Sequence, residues 1–506
     1  METQELKLDE VYVLNPYYRL RHDIRRSILY AKGGTDSVCS RNWCTFIHPL
    51  HAVLLSFFTY NRPLKENLMR LSDFFSRTEE EMARWVAAFV DNPRPLLVHC
   101  GQTDIHFPNR VLTTMKEEWK DMAFTCLDAD RFLWKKLDLT TRRLYTGPLI
   151  VTLMLTNRCV THCAYCYADT VTPVNRPLST DRLLELIHEA AHLQVSHINL
   201  MGGEVFLHRD WPTLLKELVR LDIAPEFIST KIPLDEIIIG KLRSCNYQGV
   251  IQVSLDAVSP TLIGRLTGRD THYAQAILKS LMLLDESGIG YQIATVLTSL
   301  NCRTDVLREM YEYLCQLKHL RDWRLVPVSN SITKPYNRFA VLKPSEVQLR
   351  EVMGQIRRLT QQSSAFPIIL GTDVLEQQFG RTKGGSCQFK GSECSALTSH
   401  LFVLPDGKVS ICEQLYWNDR FLIGDVSQES LVDVWNSDKA HRLYTLSRKD
   451  IQPQSYCSKC DLFESCFRYQ NRCWSNIIKA YGADCWDYPD PRCVYAPPMK
   501  NSLGYD

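Results

Sequence analysis

The sequence predicts an α/β protein carrying an additional domain at each end. Three observations lead to this. Six aliphatic and β-branched stretches (149–155, 197–201, 225–229, 249–255, 289–297 and 323–328) alternate with amphipathic segments, and such repeated strand–helix units imply a parallel sheet with helices packed outside. Ahead of them, residues 8–105 read as short strands followed by helices. Behind them, nine of the 19 cysteines crowd between Cys387 and Cys493.

The chain has 506 residues, too long for one core and enough for roughly two to four domains. With 59 basic and 57 acidic residues the net charge is +2, which gives no electrostatic case for nucleic acid. No apolar run reaches the roughly 20 residues that span a bilayer, so no membrane association is expected. The start, Met1-Glu2-Thr3-Gln4-Glu5, is acidic and polar, unlike a secretory signal, and a cytoplasmic location is expected. In that reducing compartment 19 cysteines argue for metal or redox chemistry, not a disulfide framework.

In chain order, Val11–Leu14 and Ser27–Tyr30 read as strands around an Asn15-Pro16 turn. Helical patterns follow over His51–Phe58, over Leu64, Leu68, Leu71, Phe74 and Phe75, and over Glu79–Val90, whose acidic start suits the helix dipole. Residues 106–147 show no clear period and are expected to connect onward, with Pro148 at the boundary. Leu149–Leu155 is then a buried strand. Leu183, Leu184, Ile187, Ala190 and Ala191 form one amphipathic helix face, and Leu214, Leu215, Leu218 and Leu221 another. Residues 336–384 are expected to form a helical bridge.

The first strand runs through Thr156-Asn157-Arg158 into a loop with Cys159, Cys163 and Cys166. Three thiols so close cannot all pair with one another, but they can bind three irons of a four-iron cluster. The fourth iron is then open to a substrate or cofactor. The spacing alone also suits a zinc knuckle. After the second strand, Gly202-Gly203 allows close backbone approach to a ligand, and Glu204 can accept from an ammonium group.

Cys159-x3-Cys163-x2-Cys166 with Tyr165, in the context Leu155–Cys159 and Cys163-Ala-Tyr-Cys-Tyr167, resembles the radical S-adenosylmethionine (SAM) enzymes, specifically the branch with a C-terminal SPASM domain. The resemblance implies a partial (β/α)6 TIM barrel over 148–335, with chemistry at the C-terminal ends of the strands. It implies that Gly202, Gly203 and Glu204 hold the amino group of SAM. Ser254 and Asp256, in Ser254-Leu255-Asp256-Ala257, would lie near its ribose and carboxylate, with Ala257 where many members carry glycine. Tyr165, Thr230 and Arg265 are further cofactor-binding candidates; Thr230 and Arg265 equally suit capping or surface roles.

The N-terminal strands and helices (8–105) look like the winged-helix-like element that binds leader peptides as an added strand. An unrelated helical cap also fits. Residues 385–500, with an Asp406-Gly407 hairpin turn, resemble the SPASM cysteine pattern. The pattern implies Cys387, Cys394, Cys412 and Cys473 on an inner auxiliary cluster and Cys457, Cys460, Cys466 and Cys493 on an outer one, with Cys485 as a substitute ligand. The family places its next cysteine at the position of Gln470, where this chain waits until Cys473. Two thiolate zinc sites would also suit these residues. Cys39, Cys44, Cys100, Cys126, Cys245, Cys302 and Cys315 fit no motif and read as buried or idle thiols.

The resemblance thus implies three four-iron clusters, SAM as cofactor, and an enzyme that modifies a ribosomally made precursor peptide held through its leader. A 5′-deoxyadenosyl radical would abstract hydrogen, and a side-chain cross-link (C–C, C–S or C–O) would follow. A flavodoxin- or ferredoxin-type electron donor is expected. Glu413, directly after a cluster ligand, stands where related sulfatase-maturing enzymes place an acidic base, although a surface glutamate beside a hairpin fits equally. Two other classes remain: a maturase acting on one residue of a protein enzyme, and a non-catalytic metal-cluster scaffold.

Overall fold

In a computed structural model the chain divides into two units between Thr146 and Gly147. The structure describes residues 6–32, 43–101, 103–119, 125–362, 365–371, 394–468 and 472–503.

In the first unit, β1 (Tyr12–Leu14) is followed by an antiparallel sheet in the order β2 (Tyr18–His22), β3 (Ser27–Ala31), β4 (Cys44–Ile47). Three helices come next: α1 (Pro49–Ser56), α2 (Leu64–Phe75) and α3 (Glu79–Ala87). Two of them are started by side-chain caps. His48 caps α1 ahead of a proline at its first position, and Thr78 with Glu81 forms a reciprocal capping box on α3. Leu20, Leu29, Ile47, Leu55, Phe58, Leu68 and Val86 share one core. The strands β5 (Leu96–Cys100) and β6 (Thr103–Phe107) form a hairpin.

The stretch 106–147 is not a bare connection. Strand β7 (Leu112–Thr114) pairs antiparallel with β1. Farther on, the Asp23 carboxylate accepts from the backbone N–H of Tyr145 (2.8 Å) and Thr146 (2.9 Å) and from Arg26 Nε (3.0 Å). Its apolar residues are spaced without a helical or strand period and its strand is only three residues long, so periodicity could not reveal it.

In the second unit the six expected strands appear, each followed by helix: β8 (Ile150–Thr156), α4 (Thr180–His192), β9 (His197–Gly202), α5 (Trp211–Arg220), β10 (Phe227–Thr230), α6 (Glu236–Ser244), β11 (Val250–Ser254), α7 (Pro260–Thr267), α8 (Thr271–Ser287), β12 (Tyr291–Leu297), α9 (Thr304–Leu314) and β13 (Leu320–Pro327). All strand pairs within this run are parallel. The ladder is interrupted between β9 and β10, and β8 and β13, the first and last barrel strands, do not pair with each other, so the barrel is partial and open. After α10 (Tyr336–Leu342) and α11 (Glu346–Gln362) comes β14 (Ile368–Leu370), parallel to β13. The bridge is therefore helical only in its first part; the rest of it, from residue 372, lies outside the described residues.

The other edge carries a second addition. Strand β15 (His400–Val403) pairs in parallel with β8, and β16 (Lys408–Ser410) and β17 (Leu422–Asp425) continue antiparallel from it. Gly407, at the hairpin turn, has φ +89°, a conformation that favours glycine. Met154, Ala168, Phe402, Leu404 and Tyr416 pack into one cluster across this seam. The cysteine-dense region is thereby built onto the first barrel strand.

Candidate active site

The Cys159–Cys166 loop leaves the C-terminal end of β8 and is clipped to the end of α7: His162 N donates to Thr267 O (2.8 Å) and Ala164 N to Leu266 O (3.0 Å). The Thr161 hydroxyl lies 3.5 Å from Cys159 Sγ and 3.3 Å from Cys163 Sγ. Cys166 is close enough to both other thiols that their charges raise its pKa further, after burial as the leading cause, with Lys334 opposing. The three thiols converge.

Gly203 is required by this loop. A Cβ there would lie 2.3 Å from Arg158 O and 2.6 Å from Asn157 O, both backbone atoms that cannot move aside. Glu204, 2% exposed, bridges the gap between β9 and β10. Its carboxylate accepts from Thr230 Oγ1 (2.9 Å), Lys231 N (2.9 Å), Ile232 N (3.2 Å) and Phe206 N (3.3 Å). Four donors use the carboxylate's usual capacity, and burial is the main reason its pKa is raised. Glu204 and Thr230 thus close the barrel seam beside the three-cysteine loop.

A further group of polar residues lies at the ends of β10 and β11. The Lys231 ammonium stands 2.6 Å from Asp256 Oδ2 and 2.5 Å from the Tyr165 hydroxyl, which itself donates to Asp256. Lys231 is held protonated: burial lowers its pKa, but Asp256 and the Cys163 thiol raise it by more. Asp256 also accepts from Val296 N (2.9 Å). Lys231, Ser254, Asp256, Thr267 and Tyr273 line a small hollow. A second lies beside Tyr165 and Cys166 and is lined by Asn330, Lys334 and Phe339. Arg265 stands exposed on α7 and makes none of these hydrogen bonds. Lys231 was not legible in the sequence, because a lysine after Ser229-Thr230 belongs to no motif quoted above.

The C-terminal cysteines fall into two sets. Cys394, Cys412 and Cys473 influence one another's ionisation, and burial pushes Cys394 up to about 12. Cys387 lies outside the described residues. Cys457, Cys460, Cys466 and Cys493 form the second set, with Cys466 pushed up to about 11, chiefly by burial. Cys485 packs against the cluster of Ile477, Ala480, Tyr481 and Leu503. Among the described residues no group of three or more His, Cys, Asp or Glu side chains has the arrangement of a single-ion metal site.

Comparison with known proteins decides the assignment. Residues 153–314 match the model of the radical SAM superfamily, and residues 394–461 match that of the SPASM iron–sulfur cluster-binding domain. The chain carries a radical SAM domain followed by a SPASM domain. It is 23% identical over 361 residues to PqqA peptide cyclase of Granulibacter bethesdensis, covering 69% of this chain and 88% of that protein. It is 24% identical over 356 residues to mycofactocin maturase MftC of Mycolicibacterium smegmatis, covering 69% and 83%. Streptococcus suis SuiB, in its crystal structure with the precursor peptide SuiA, shares the fold at TM-score 0.62 with 15% identity, over 96% of this chain and all of that one. A radical SAM domain brings a four-iron cluster and SAM, and a SPASM domain brings auxiliary iron–sulfur clusters.

The residues fit those groups. Cys394, Cys412, Cys457, Cys466 and Cys493 are raised in pKa, chiefly by desolvation, so as free thiols they are neutral, and cluster assembly draws off their protons. Arg472, 4% exposed, points Nη2 at Cys457 Sγ (3.5 Å) with no carboxylate partner among the described residues, which suits an anionic cluster. Between the radical SAM cysteines and the first SPASM set stand Tyr167, Glu413 and Tyr416. Glu413 is exposed by its own accessible surface, yet desolvation by the surrounding protein raises its pKa, with Lys479 opposing. The charge of Glu413, then burial, raises Tyr167. Tyr416 is 1% exposed, has φ +41°, and its hydroxyl finds no partner among the described residues.

Among the described residues no helix is long and apolar enough to cross a membrane.

Proposed function

We propose that this chain is a radical SAM enzyme that modifies a ribosomally made peptide by forming a side-chain cross-link. The observation that carries the reading is the placement of Tyr167, Glu413 and Tyr416 between the Cys166 end of the first thiol set and the Cys412 end of the second. A substrate seated there meets both kinds of centre. The relatives named above support a peptide as that substrate, because their names describe a peptide cyclase, a maturase and an enzyme with its precursor peptide.

In this reading SAM, bound at a cluster held by Cys159, Cys163 and Cys166, supplies a 5′-deoxyadenosyl radical that takes hydrogen from an unreactive carbon. Gly203 keeps the cluster loop against β9. The Lys231–Asp256–Tyr165 network, with Ser254, orients the cofactor, and Gly202, Glu204 and Thr230 fix the strand ends that face it. Cys394, Cys412 and Cys473, completed by Cys387, hold the inner auxiliary cluster, and Cys457, Cys460, Cys466 and Cys493 the outer one. The Glu413 carboxylate accepts the proton released as the cross-link forms, and desolvation raises its pKa above the ordinary glutamate value. The leader lies along the edge of the β2–β4 sheet as an added strand, and a flavodoxin- or ferredoxin-type protein supplies the electron.

The test is anaerobic incubation of the reconstituted chain with SAM, dithionite and a candidate precursor peptide, chosen from any short open reading frame found beside its gene. The peptide is expected to lose two hydrogens, read by mass spectrometry. Glu413→Gln is expected to form 5′-deoxyadenosine while yielding at least tenfold less cross-linked peptide. Full cross-linking by that variant removes Glu413 from the mechanism, and an unchanged peptide with wild type contradicts the substrate assignment.

A further inference from the structure

Arg472 is a buried cation with spare donors, and the cross-linking step does not use it. Its guanidinium lies between aromatic walls, with Cζ 5.2 Å from the centre of the Phe467 ring and 5.0 Å from that of Trp474. One arm, Nη2, reaches Cys457 Sγ at 3.5 Å, while Nε and Nη1 have no partner among the described residues. Its charge also acts on Cys466, lowering that thiol's pKa against burial. Neighbouring cations are occupied differently: Arg492 forks onto Asp490 at 2.5 and 2.6 Å, and the Lys479 ammonium donates to Gln414 Oε1 at 2.5 Å.

A guanidinium with no counter-ion is unfavourable in a buried place, and two unused N–H donors add to that cost. The missing charge is accounted for if Cys457, Cys460, Cys466 and Cys493 hold an iron–sulfur cluster, since a four-thiolate cluster is anionic and its sulfurs accept hydrogen bonds. Reduction adds one negative charge to such a cluster and moves no proton. A fixed cation donating to its sulfurs therefore favours the reduced form, and hydrogen bonds to sulfur are among the known determinants of cluster potential.

We propose that Arg472 is a tuning residue that raises the reduction potential of the outer auxiliary cluster, by placing a desolvated, donor-bearing positive charge against Cys457. Arg472 thereby makes that cluster a better acceptor for the single electron that leaves the substrate during cross-linking. The inference rests on the assignment of Cys457, Cys460, Cys466 and Cys493 given above.

The experiment is an EPR-monitored redox titration of the reconstituted full chain as wild type, Arg472→Gln and Arg472→Lys, with iron and zinc measured on each sample. Arg472→Gln is expected to lower the midpoint of the outer cluster by at least 59 mV, a tenfold change in a one-electron equilibrium. Arg472→Lys keeps the charge but lacks the planar fork, and is expected to fall between. The SAM-binding cluster should keep its midpoint in all three. Equal outer-cluster midpoints overturn the proposal. Loss of the outer cluster's iron from both variants also overturns it, by making Arg472 a structural residue. Zinc at that site in wild type overturns the cluster assignment itself, and metal analysis separates that failure from the other two.

Discussion

The radical SAM site and the SPASM region are both built from cysteines, but they treat their polar residues differently. At the radical SAM site the polar groups at the strand ends are paired within the protein: Glu204 with four donors, and Lys231 with Asp256 and Tyr165. In the SPASM region Arg472 Nε and Nη1 and the Tyr416 hydroxyl find no hydrogen-bond partner among the described residues. The first arrangement is preorganised, so strand ends and cluster loop keep their positions while cofactor enters and leaves. The second has charges and donors left over, which suits partners the protein does not itself supply, a cluster and a substrate.

The sharpest way to break the first region alone is Gly203→Ala. Its Cβ would collide with the Arg158 carbonyl at 2.3 Å, displacing the cysteine loop. The expected result is loss of detectable 5′-deoxyadenosine formation, with the iron of the SPASM region retained. Wild-type cleavage by this variant would show that the loop tolerates movement.

Lys231→Met comes next. It leaves the Asp256 carboxylate, 3% exposed, without its cation. Removing one partner of a buried pair typically costs about 3–5 kcal/mol. Urea unfolding should show a loss of that order, and Lys231→Met with Asp256→Asn together should recover part of it.

The seam between the regions gives a smaller effect. The His400 ring, whose Nε2 lies 2.9 Å from Thr152 Oγ1, has its pKa pushed down to about 4 by burial. Between pH 6.5 and about 4 the unfolded chain binds this proton and the folded chain does not, so stability falls as pH drops through that window. His400→Gln should flatten the slope in apo protein, measured by thermal melts across the range.

The smallest effect is expected at Tyr416, and its direction is informative. Phenylalanine keeps the ring packed against Phe402 and Met154 and removes only a hydroxyl without a partner. Tyr416→Phe should leave the melting temperature unchanged or raise it, since an unsatisfied buried hydroxyl is unfavourable. A clear loss of stability would mean that the hydroxyl is satisfied in the folded protein, and the contrast between the regions would weaken.

What the sequence revealed follows the same division. The six barrel strands were legible because buried parallel strands read as short aliphatic runs, and Cys159, Cys163, Cys166 and Gly202-Gly203 because their spacing is local. The two sets of SPASM cysteines were legible through resemblance, while the packing of Cys485 against Ile477, Ala480 and Tyr481 was not. Pairings between distant segments were hidden: β15 against β8, β7 against β1, and β14, which is three residues long. Lys231, Arg472 and Tyr416 were missed because a lone lysine, arginine or tyrosine carries no pattern. Only three-dimensional proximity to thiols and carboxylates gives them meaning. Glu204 was legible as a site residue, but its role in closing the gap between β9 and β10 required the fold.

The measurement that bears most directly on the account is metal analysis with product detection, on wild type and Cys163→Ala reconstituted anaerobically. About twelve irons per chain, with 5′-deoxyadenosine formed by wild type and absent from the variant, is the result expected for three four-iron clusters. Zinc in place of iron, or 5′-deoxyadenosine formed equally by Cys163→Ala, would contradict it.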